Sequence, residues 1–170
     1  MPIDGCTHTF AKLATEILPR YMRQLEGSMH EPVSMSQFAI KHVGPKSIAR
    51  KLGLSDDFPG CYVLLTDGVP MYVGISRAVL GRVRQHVLGT SHYDATLAYT
   101  MAARRAPHSS TRTDAMADNA FMHAFAAARE ELSRCDVAFI RIENAVEMQL
   151  FEIYCAMELD TCEWNTFETH

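Results

Sequence analysis

The chain has 170 residues, of which 48% are hydrophobic and 21% are charged, and its formal net charge is −4 at pH 7. This length fits one domain with a small helical appendage, and the composition is that of a globular protein with a buried core. No apolar run reaches the roughly 20 residues that span a bilayer, and the N-terminus lacks a basic stretch followed by an apolar core. We therefore expect a cytoplasmic protein without a membrane partner. Five cysteines with no CxxC pair argue against a disulfide framework.

Charge is distributed unevenly along the chain. Residues 1–40 carry a net charge of −1, residues 41–112 carry +6 and residues 113–170 carry −9. The basic middle segment offers a surface for phosphate groups, and the acidic C-terminal third offers solubility and a candidate metal ligand. Chance clustering of solvated charge explains the same pattern, so charge alone does not decide between these interpretations.

The first part of the chain predicts helices. Residues 7–25 carry apolar side chains at helical spacing, and Pro19 should kink or divide that helix. Residues 34–53 predict one or two further helices, and the loop 56–60 is the best candidate boundary. Residues 45–55 resemble the first helix and turn of a helix-turn-helix motif, but a helix-breaking DDFPG sequence follows where the recognition helix would begin. A helical cap on the following domain is the better interpretation.

From Gly60 onward the pattern alternates between strands and helices. Two short apolar segments around a glycine-containing connection predict a β-hairpin, and a third strand comes much later. The predicted fold is α/β: a small, mainly antiparallel three-stranded sheet flanked by helices, with an N-terminal extension (1–57) before the main domain (58–170). The predicted strands are 61–65, 71–75 and 135–142, and the predicted helices are 79–88, 94–105, 114–133 and 145–159.

Six side chains stand out by their order along these elements. One strand of the hairpin carries Gly60-Cys61-Tyr62 and the other carries Tyr72-Val73-Gly74. The helix that follows holds Arg82 and His86, which are four residues apart and so share a face. Glu152 lies in the late apolar helix, and Asn165 comes thirteen residues after it.

This ordered set resembles the GIY-YIG nuclease superfamily over residues 58–170. Cys61 and Val73 are mild departures at variable motif positions, and Ile75 stands where several members carry lysine. The resemblance implies a metal-dependent endonuclease that hydrolyses phosphodiester bonds.

The implied roles agree with the chemistry of these side chains. Glu152 is a hard oxygen ligand for one Mg²⁺ or Mn²⁺ ion, and Arg82 can grip a phosphate oxygen through its planar fork. Tyr72 is the preferred general base, with His86 sharing or relaying the proton, and Asn165 would hold the metal ligand or the water. Each residue also has a duller interpretation: the tyrosines could simply stabilise the hairpin.

Further residues are candidates for contacts with the nucleic acid. Glu147, on the same helix as Glu152, stays open as an alternative metal ligand. Ser76 is a candidate phosphate contact, although a turn residue is equally consistent with its position. Arginines of the basic segment could follow the backbone of a bound strand or duplex. The candidate nucleic-acid contacts are Gly74, Ser76, Arg77, Arg84, Arg104, Arg105 and Arg112.

The sequence thus favours a DNA endonuclease acting in repair, restriction or defence. Two alternatives stay open: a binding module of the same fold without turnover, and a nuclease that acts on RNA. A homodimer would let two sites cut both strands of a duplex. The helical extension could recognise substrate, mediate dimerisation or cover the sheet.

Overall fold

A computed structural model describes residues 2–167 of the protein. Helices make up most of the regular structure, and none of the helices in the described part is long and apolar enough to cross a membrane. The helices are α1 (Phe10–Lys12), α2 (Leu18–Met29), α3 (Pro45–Lys51), α4 (Val79–Leu88), α5 (Thr96–Arg105), α6 (Arg112–Ala117), α7 (Asn119–Ser133) and α8 (Ala145–Glu158).

The strands are β1 (Val33–Ser34), β2 (Gly60–Thr66), β3 (Val69–Ser76) and β4 (Asp136–Arg141). They form one sheet in the order β1-β4-β2-β3, and β2 runs antiparallel to both of its neighbours. The α/β class and the three predicted strands are confirmed. The predicted count of three strands was wrong, because β1 is only two residues long and too short to show an alternating pattern.

The predicted N-terminal helix is present but interrupted. A π-helical turn, Leu13–Ile17, joins α1 to α2, and the N–H of Leu18 donates to the carbonyl of Leu13, five residues back. Pro19 follows directly. Because proline has no N–H for the helical ladder and crowds the preceding turn, the expected kink takes the form of this wider turn.

One face of the sheet forms the core with α2 and α8. Side chains alternate along β2, and those of Cys61 and Val63 lie on the face that these helices cover. Met22 of α2 and Phe151 of α8 belong to the same buried cluster. The helices that cover this face come from the two ends of the chain.

The motif glycine Gly60 allows β4 to approach β2 closely. A Cβ atom at this position would lie 2.0 Å from the carbonyl oxygen of Ile140 on β4. That oxygen belongs to the backbone of a paired strand and cannot move aside, so only glycine fits.

The later helices follow the predicted pattern with one difference. α4 and α8 match the predicted segments closely, whereas the predicted helix 114–133 is two helices, α6 and α7. Asp118 separates them because its backbone is extended and its carboxylate accepts the N–H of Phe121, which caps α7.

The chain forms two compact units whose segments alternate along the sequence. The sheet unit comprises residues 1–33, 58–79 and 136–170; the helical unit comprises residues 34–57 and 80–135. The sheet unit carries five basic and thirteen acidic side chains, a net charge of −8, and the helical unit carries eleven and seven, a net charge of +4. The chain passes between the units at residues 57/58, but residues 1–33 belong to the sheet unit, so the division into an extension (1–57) and a main domain (58–170) stays a prediction.

Candidate active site

The two motif tyrosines lie side by side on one face of the β2–β3 hairpin. The strand register pairs Tyr62 with Gly74 and Leu64 with Tyr72, and the centroids of the two tyrosine rings are 6.3 Å apart. Tyr62 is 1% exposed, whereas Tyr72 is half-buried. Tyr62 is therefore a packed element of the hairpin, and of the two only Tyr72 has a ring with appreciable solvent exposure.

The ring of Tyr62 lies directly over the backbone of Gly74. A Cβ atom at Gly74 would lie 2.4 Å from the Tyr62 hydroxyl oxygen and 2.5 Å from Cζ. The second motif needs its glycine because the tyrosine of the first motif occupies the side-chain position. Gly74 is buried, so its predicted contact with nucleic acid gives way to a packing role.

Asn165 holds the C-terminal segment against β3, the edge strand of the sheet. Its side-chain oxygen accepts the N–H of Val73 at 2.9 Å, and its side-chain nitrogen donates to the carbonyl of Val73 at 2.8 Å. The amide thus pairs with β3 as a neighbouring strand would, next to Tyr72. This places Asn165 beside the second motif, where it holds β3, and its predicted role in holding the metal ligand or the water stays a prediction.

Glu152 is a half-buried carboxylate on α8. Within residues 2–167 it forms neither a hydrogen bond nor an ion pair with any other side chain, and burial raises the pKa of Glu152 above its usual value. Glu147, the alternative ligand, is buried and already engaged, because it accepts the Tyr21 hydroxyl at 2.6 Å. Burial and this hydrogen bond raise the pKa of Tyr21 to about 12. Glu152 is therefore the carboxylate that remains available for a ligand.

Glu152 and the tyrosine rings approach the hairpin from different sides. The tyrosines project from the sheet face opposite to the one that α8 covers, since Cys61 and Val63 alternate with Tyr62. Glu152 acts electrostatically on Cys61: burial, then Cys155 and then Glu152 raise the pKa of the Cys61 thiol. The sheet unit does not join the carboxylate and the tyrosine hydroxyls by a direct hydrogen bond.

Arg82 of the helical unit holds the loop that follows its own helix. Its guanidinium donates to the carbonyl of Asp94 at 2.8 Å, to the Thr96 hydroxyl at 2.8 Å and to the side-chain oxygen of Gln85 at 3.1 Å. Among residues 2–167 no acceptor faces its Nε–H, so part of the fork remains available to a phosphate. No sequence pattern indicated this anchoring role.

His86 shares a helix with Arg82, as expected, but it is 0% exposed. Burial, with a smaller contribution from the Arg82 cation, lowers the pKa of His86 to about 3. The imidazole is therefore neutral at pH 7 and is a weak base there, whereas an efficient general base has a pKa near the working pH. A buried imidazole with a lowered pKa is a poor candidate for that role, and Tyr72 as the base stays a prediction.

Ser76, the last residue of β3, and Arg77, which follows it, are both predicted contacts with the nucleic acid, and they differ in their surroundings. The Ser76 hydroxyl accepts the N–H of Ala78 and donates to its carbonyl, both at 3.0 Å, so it closes a turn. Arg77 is exposed and lines a cavity of about 400 Å³ together with Glu143 and Asn144. Of the two, Arg77 is the one free to bind an anion.

The remaining predicted backbone contacts belong to the helical unit. Arg84 is half-buried and donates from Nε to the carbonyl of Val43 at 2.9 Å, which fixes an earlier segment of this unit. Arg105 forms an ion pair with Glu131 at 2.6 Å. Arg104 is exposed. Arg84 and Arg105 thus have structural partners that the sequence pattern did not reveal.

Glu152 supplies one negative charge, so a divalent ion bound there would need further ligands to balance its charge. No group of three or more His, Cys, Asp or Glu side chains within residues 2–167 is arranged to hold a metal. Magnesium commonly keeps several waters and is bound through one or two carboxylates and the phosphates of a substrate. A single unpaired carboxylate fits that mode of binding and does not fit a closed structural site.

Asp57 is a site-supporting residue that sequence reasoning treated only as part of a loop. Its two carboxylate oxygens accept the N–H groups of Leu80 at 2.8 Å and Gly81 at 2.9 Å. They satisfy donors at the start of α4, the helix that carries Arg82 and His86. An aspartate directly before a helix is a recognisable capping signal. Asp57 lacks this signal because it lies more than twenty residues before the helix that it caps.

Comparison with known proteins gives no match: no family model, no curated protein and no solved structure is similar to this chain. The resemblance to the GIY-YIG superfamily therefore rests on the motif residues of the sequence alone and stays a prediction.

Proposed function

We propose that the protein is a metal-dependent endonuclease that hydrolyses phosphodiester bonds, with DNA as the preferred substrate. The observation that carries this proposal is the half-buried Glu152 carboxylate, which has a raised pKa and no hydrogen-bond or ion-pair partner among residues 2–167, on a helix packed against the hairpin that presents Tyr72. Burying an unpaired carboxylate is costly, and such groups are enriched at functional sites.

In this proposal Glu152 binds one Mg²⁺ or Mn²⁺ ion, which would supply Lewis-acid stabilisation of the phosphate and a more acidic water. The carboxylate must be ionised to bind the ion, so its raised pKa requires a pH above the usual range of a glutamate. Desolvation around Glu152 strengthens its attraction to a cation. These properties suit a carboxylate that binds the metal ion and the substrate together.

The hairpin contributes the second part of the chemistry. As a phenolate, which a nearby cation would favour, Tyr72 would accept the proton of the attacking water. The ring of Tyr62, packed over Gly74, fixes the strand next to it. The amide of Asn165 holds the edge of β3 at Val73. β3 is the edge strand, so a phosphate at this edge can be approached from both faces of the sheet.

The helical unit contributes affinity for the polymer. Its net charge of +4 attracts a polyanion, whereas the sheet unit, at −8, repels one. Arg82 binds a phosphate oxygen of the substrate through the part of its fork that the loop does not use. This division explains how a chain with a net negative charge can bind nucleic acid.

A cleavage panel tests the proposal. Purified protein is incubated with plasmid, single-stranded and branched DNA and with RNA, with Mn²⁺ and with EDTA. We expect Mn²⁺-dependent cleavage of DNA, and we expect Glu152→Ala to bind DNA as the unaltered protein does without cutting it. If no substrate is cut while DNA is bound, the protein is a binding module. Cleavage of RNA alone would assign it to the ribonucleases.

A further inference from the structure

The helical unit presents an aromatic side chain that the fold itself does not use. Tyr93 is 75% exposed and lies in the loop between α4 and α5. Ile40, at 44%, is the only other large apolar side chain with high exposure among the described residues of this unit. An exposed tyrosine stabilises the fold little, so its ring is available to a ligand.

The loop that carries Tyr93 is held firmly at several points. Arg82 donates to the carbonyl of Asp94, and the Ser91 hydroxyl donates to the Asp94 carboxylate at 2.7 Å. Arg129 donates to the carbonyl of Gly89 at 2.8 Å. A Cβ at Gly89 would lie 2.7 Å from the Cβ of Asp94, so the loop also packs tightly on itself. Tyr93 is therefore presented on a preorganised support, which lowers the entropy cost of binding a ligand.

Other aromatic rings lie behind Tyr93. The ring of His92 is 7% exposed, and its centroid lies 3.9 Å from that of Tyr93. His92 in turn contacts Tyr99, with centroids 5.8 Å apart, and the Arg112 guanidinium lies 5.5 Å from the Tyr99 ring centroid. The exposed ring thus ends a series of tilted ring contacts that leads to a cation.

Arg112 is the exposed cation of this cluster. It forms no ion pair with any residue of the described part of the chain, in contrast to Arg105, which pairs with Glu131. An exposed aromatic ring on a rigid loop, a free guanidinium and a net charge of +4 together match the chemistry of single-stranded nucleic acid: a flat base and an anionic backbone.

We propose that Tyr93 stacks on an unpaired nucleobase and that Arg112 binds a phosphate of the same strand. This inference rests on the proposed function and narrows its substrate to nucleic acid with an unpaired base, such as a single strand, a flap or a junction. The platform formed by Tyr93, His92 and Arg112 binds bases of any sequence, because every base has a π face.

Binding without cleavage tests the platform independently of catalysis. Fluorescence anisotropy in EDTA compares a short single-stranded oligonucleotide with the same sequence in a blunt duplex. The protein should prefer the single strand. Tyr93→Ala should weaken that binding roughly 5- to 100-fold, the range expected for one stacked base, and Tyr93→Phe should retain it. Ile40→Ala, which removes another exposed apolar side chain of the same unit, is the matched control and should bind normally.

Arg112→Gln supplies a second readout. Loss of one phosphate contact should lower the slope of log K against log salt concentration by about one, with little change in the preference for the single strand. Quenching of a fluorescent base analogue in the oligonucleotide, lost in Tyr93→Ala but not in Tyr93→Phe, would report the stack directly.

The outcomes separate the platform from the proposed function. Equal binding by Tyr93→Ala and the unaltered protein overturns the platform, as does a preference for the duplex. A Tyr93→Ala variant that loses self-association and keeps its oligonucleotide affinity would make this surface a contact between copies and would also overturn it. If the Tyr93 pattern holds and no nucleic acid is cut with Mn²⁺, the nuclease proposal fails while the platform stands.

Discussion

The sheet unit and the helical unit differ in charge and in what their side chains can do. The sheet unit is acidic and contains the unpaired Glu152 and the tyrosine pair, whereas the helical unit is basic and contains Arg82 and the exposed Tyr93. The first set suits hydrolysis and the second suits binding. When positive and negative charges lie in different units, the net charge of a whole chain is a poor guide to its partner.

The difference between the two units predicts different kinetic effects for variants of each unit. Variants of the sheet unit should lower the rate of cleavage at saturating substrate and leave affinity unchanged. Variants of the helical unit that are expected to contact only the polymer, such as Tyr93→Ala and Arg112→Gln, should lower affinity and leave the saturated rate unchanged.

Arg82→Ala is the sharpest challenge to the division, because Arg82 both holds the Tyr93 loop and has donors left for a phosphate. We expect the saturated cleavage rate to fall about 10²- to 10³-fold, as it does when a donor to transition-state charge is lost, and affinity to fall as well. Arg82→Lys, which keeps the charge without the fork, should recover little. Single-turnover kinetics measure both quantities. A full rate at saturation with weakened binding would make Arg82 a loop anchor alone.

Acid should destabilise the protein through His86. The folded pKa of about 3 lies below the value of 6.5 for an unshifted histidine, so the unfolded state binds the proton first as pH falls. The stabilisation is present above pH 6.5 and is lost toward pH 3, on the order of 4 kcal/mol in total. The NMR signals of the His86 ring should not shift between about pH 8 and pH 5, the range in which an ordinary histidine titrates.

Urea unfolding across the same pH range supplies the thermodynamic readout. A His86 signal that titrates with an ordinary histidine pKa would show that the ring is accessible and chargeable. His86 would then return as a candidate base, and the preference for Tyr72 would fall.

Gly74→Ala tests the packing of the hairpin. The added methyl group would overlap the Tyr62 ring, so we expect a loss of about 1–3 kcal/mol in the free energy of unfolding. Gly27→Ala is the matched control: Gly27 lies in α2 with nothing within 4 Å of its Cβ position, and alanine should stabilise the helix by up to about 1 kcal/mol. Denaturant titration distinguishes the two. Equal stabilities would contradict the account of the second motif glycine.

Asn165→Ala removes two hydrogen bonds from the edge of β3, and we expect a loss of about 1–2 kcal/mol. Asn165→Asp keeps the acceptor for the Val73 N–H but sets a carboxylate against the Val73 carbonyl, so it should not restore stability. Hydrogen exchange of the Val73 amide reports the contact locally. Unchanged exchange in Asn165→Ala would show that the tail does not hold the strand.

The strands β2, β3 and β4 and the helices α4 and α8 were predictable because the sequence patterns that indicate them are local. Alternating apolar residues and a glycine-containing turn define the hairpin, and an apolar period defines α8. β1 could not be predicted, since two residues carry no period. The split at Asp118 was missed because a single capping aspartate outweighed the continuous helical pattern on both sides of it.

The sequence pattern supplied the candidate residues of the site, which stay a prediction, but it could not supply their contacts. Motif spacing pointed to Tyr62, Tyr72 and Glu152, yet it could not show that Tyr62 is buried over Gly74. The burial of His86 also depends on tertiary packing, which places a titratable group inside the helical unit. Tyr93 escaped notice because exposure and loop rigidity leave no local sequence pattern.

The central claim is that Glu152 of the acidic unit holds the metal for hydrolysis, and the Mn²⁺-dependent cleavage rate of Glu152→Gln tests it most directly. Glu158→Gln is the matched control, since Glu158 is an exposed carboxylate on the same helix. Because the pKa of Glu152 is raised, its ionised form destabilises the fold at neutral pH, so Glu152→Gln should be folded and at least as stable as the unaltered protein. We expect Glu152→Gln to lose about 10³-fold or more in rate while Glu158→Gln cuts normally. Undiminished cleavage by Glu152→Gln would contradict the account.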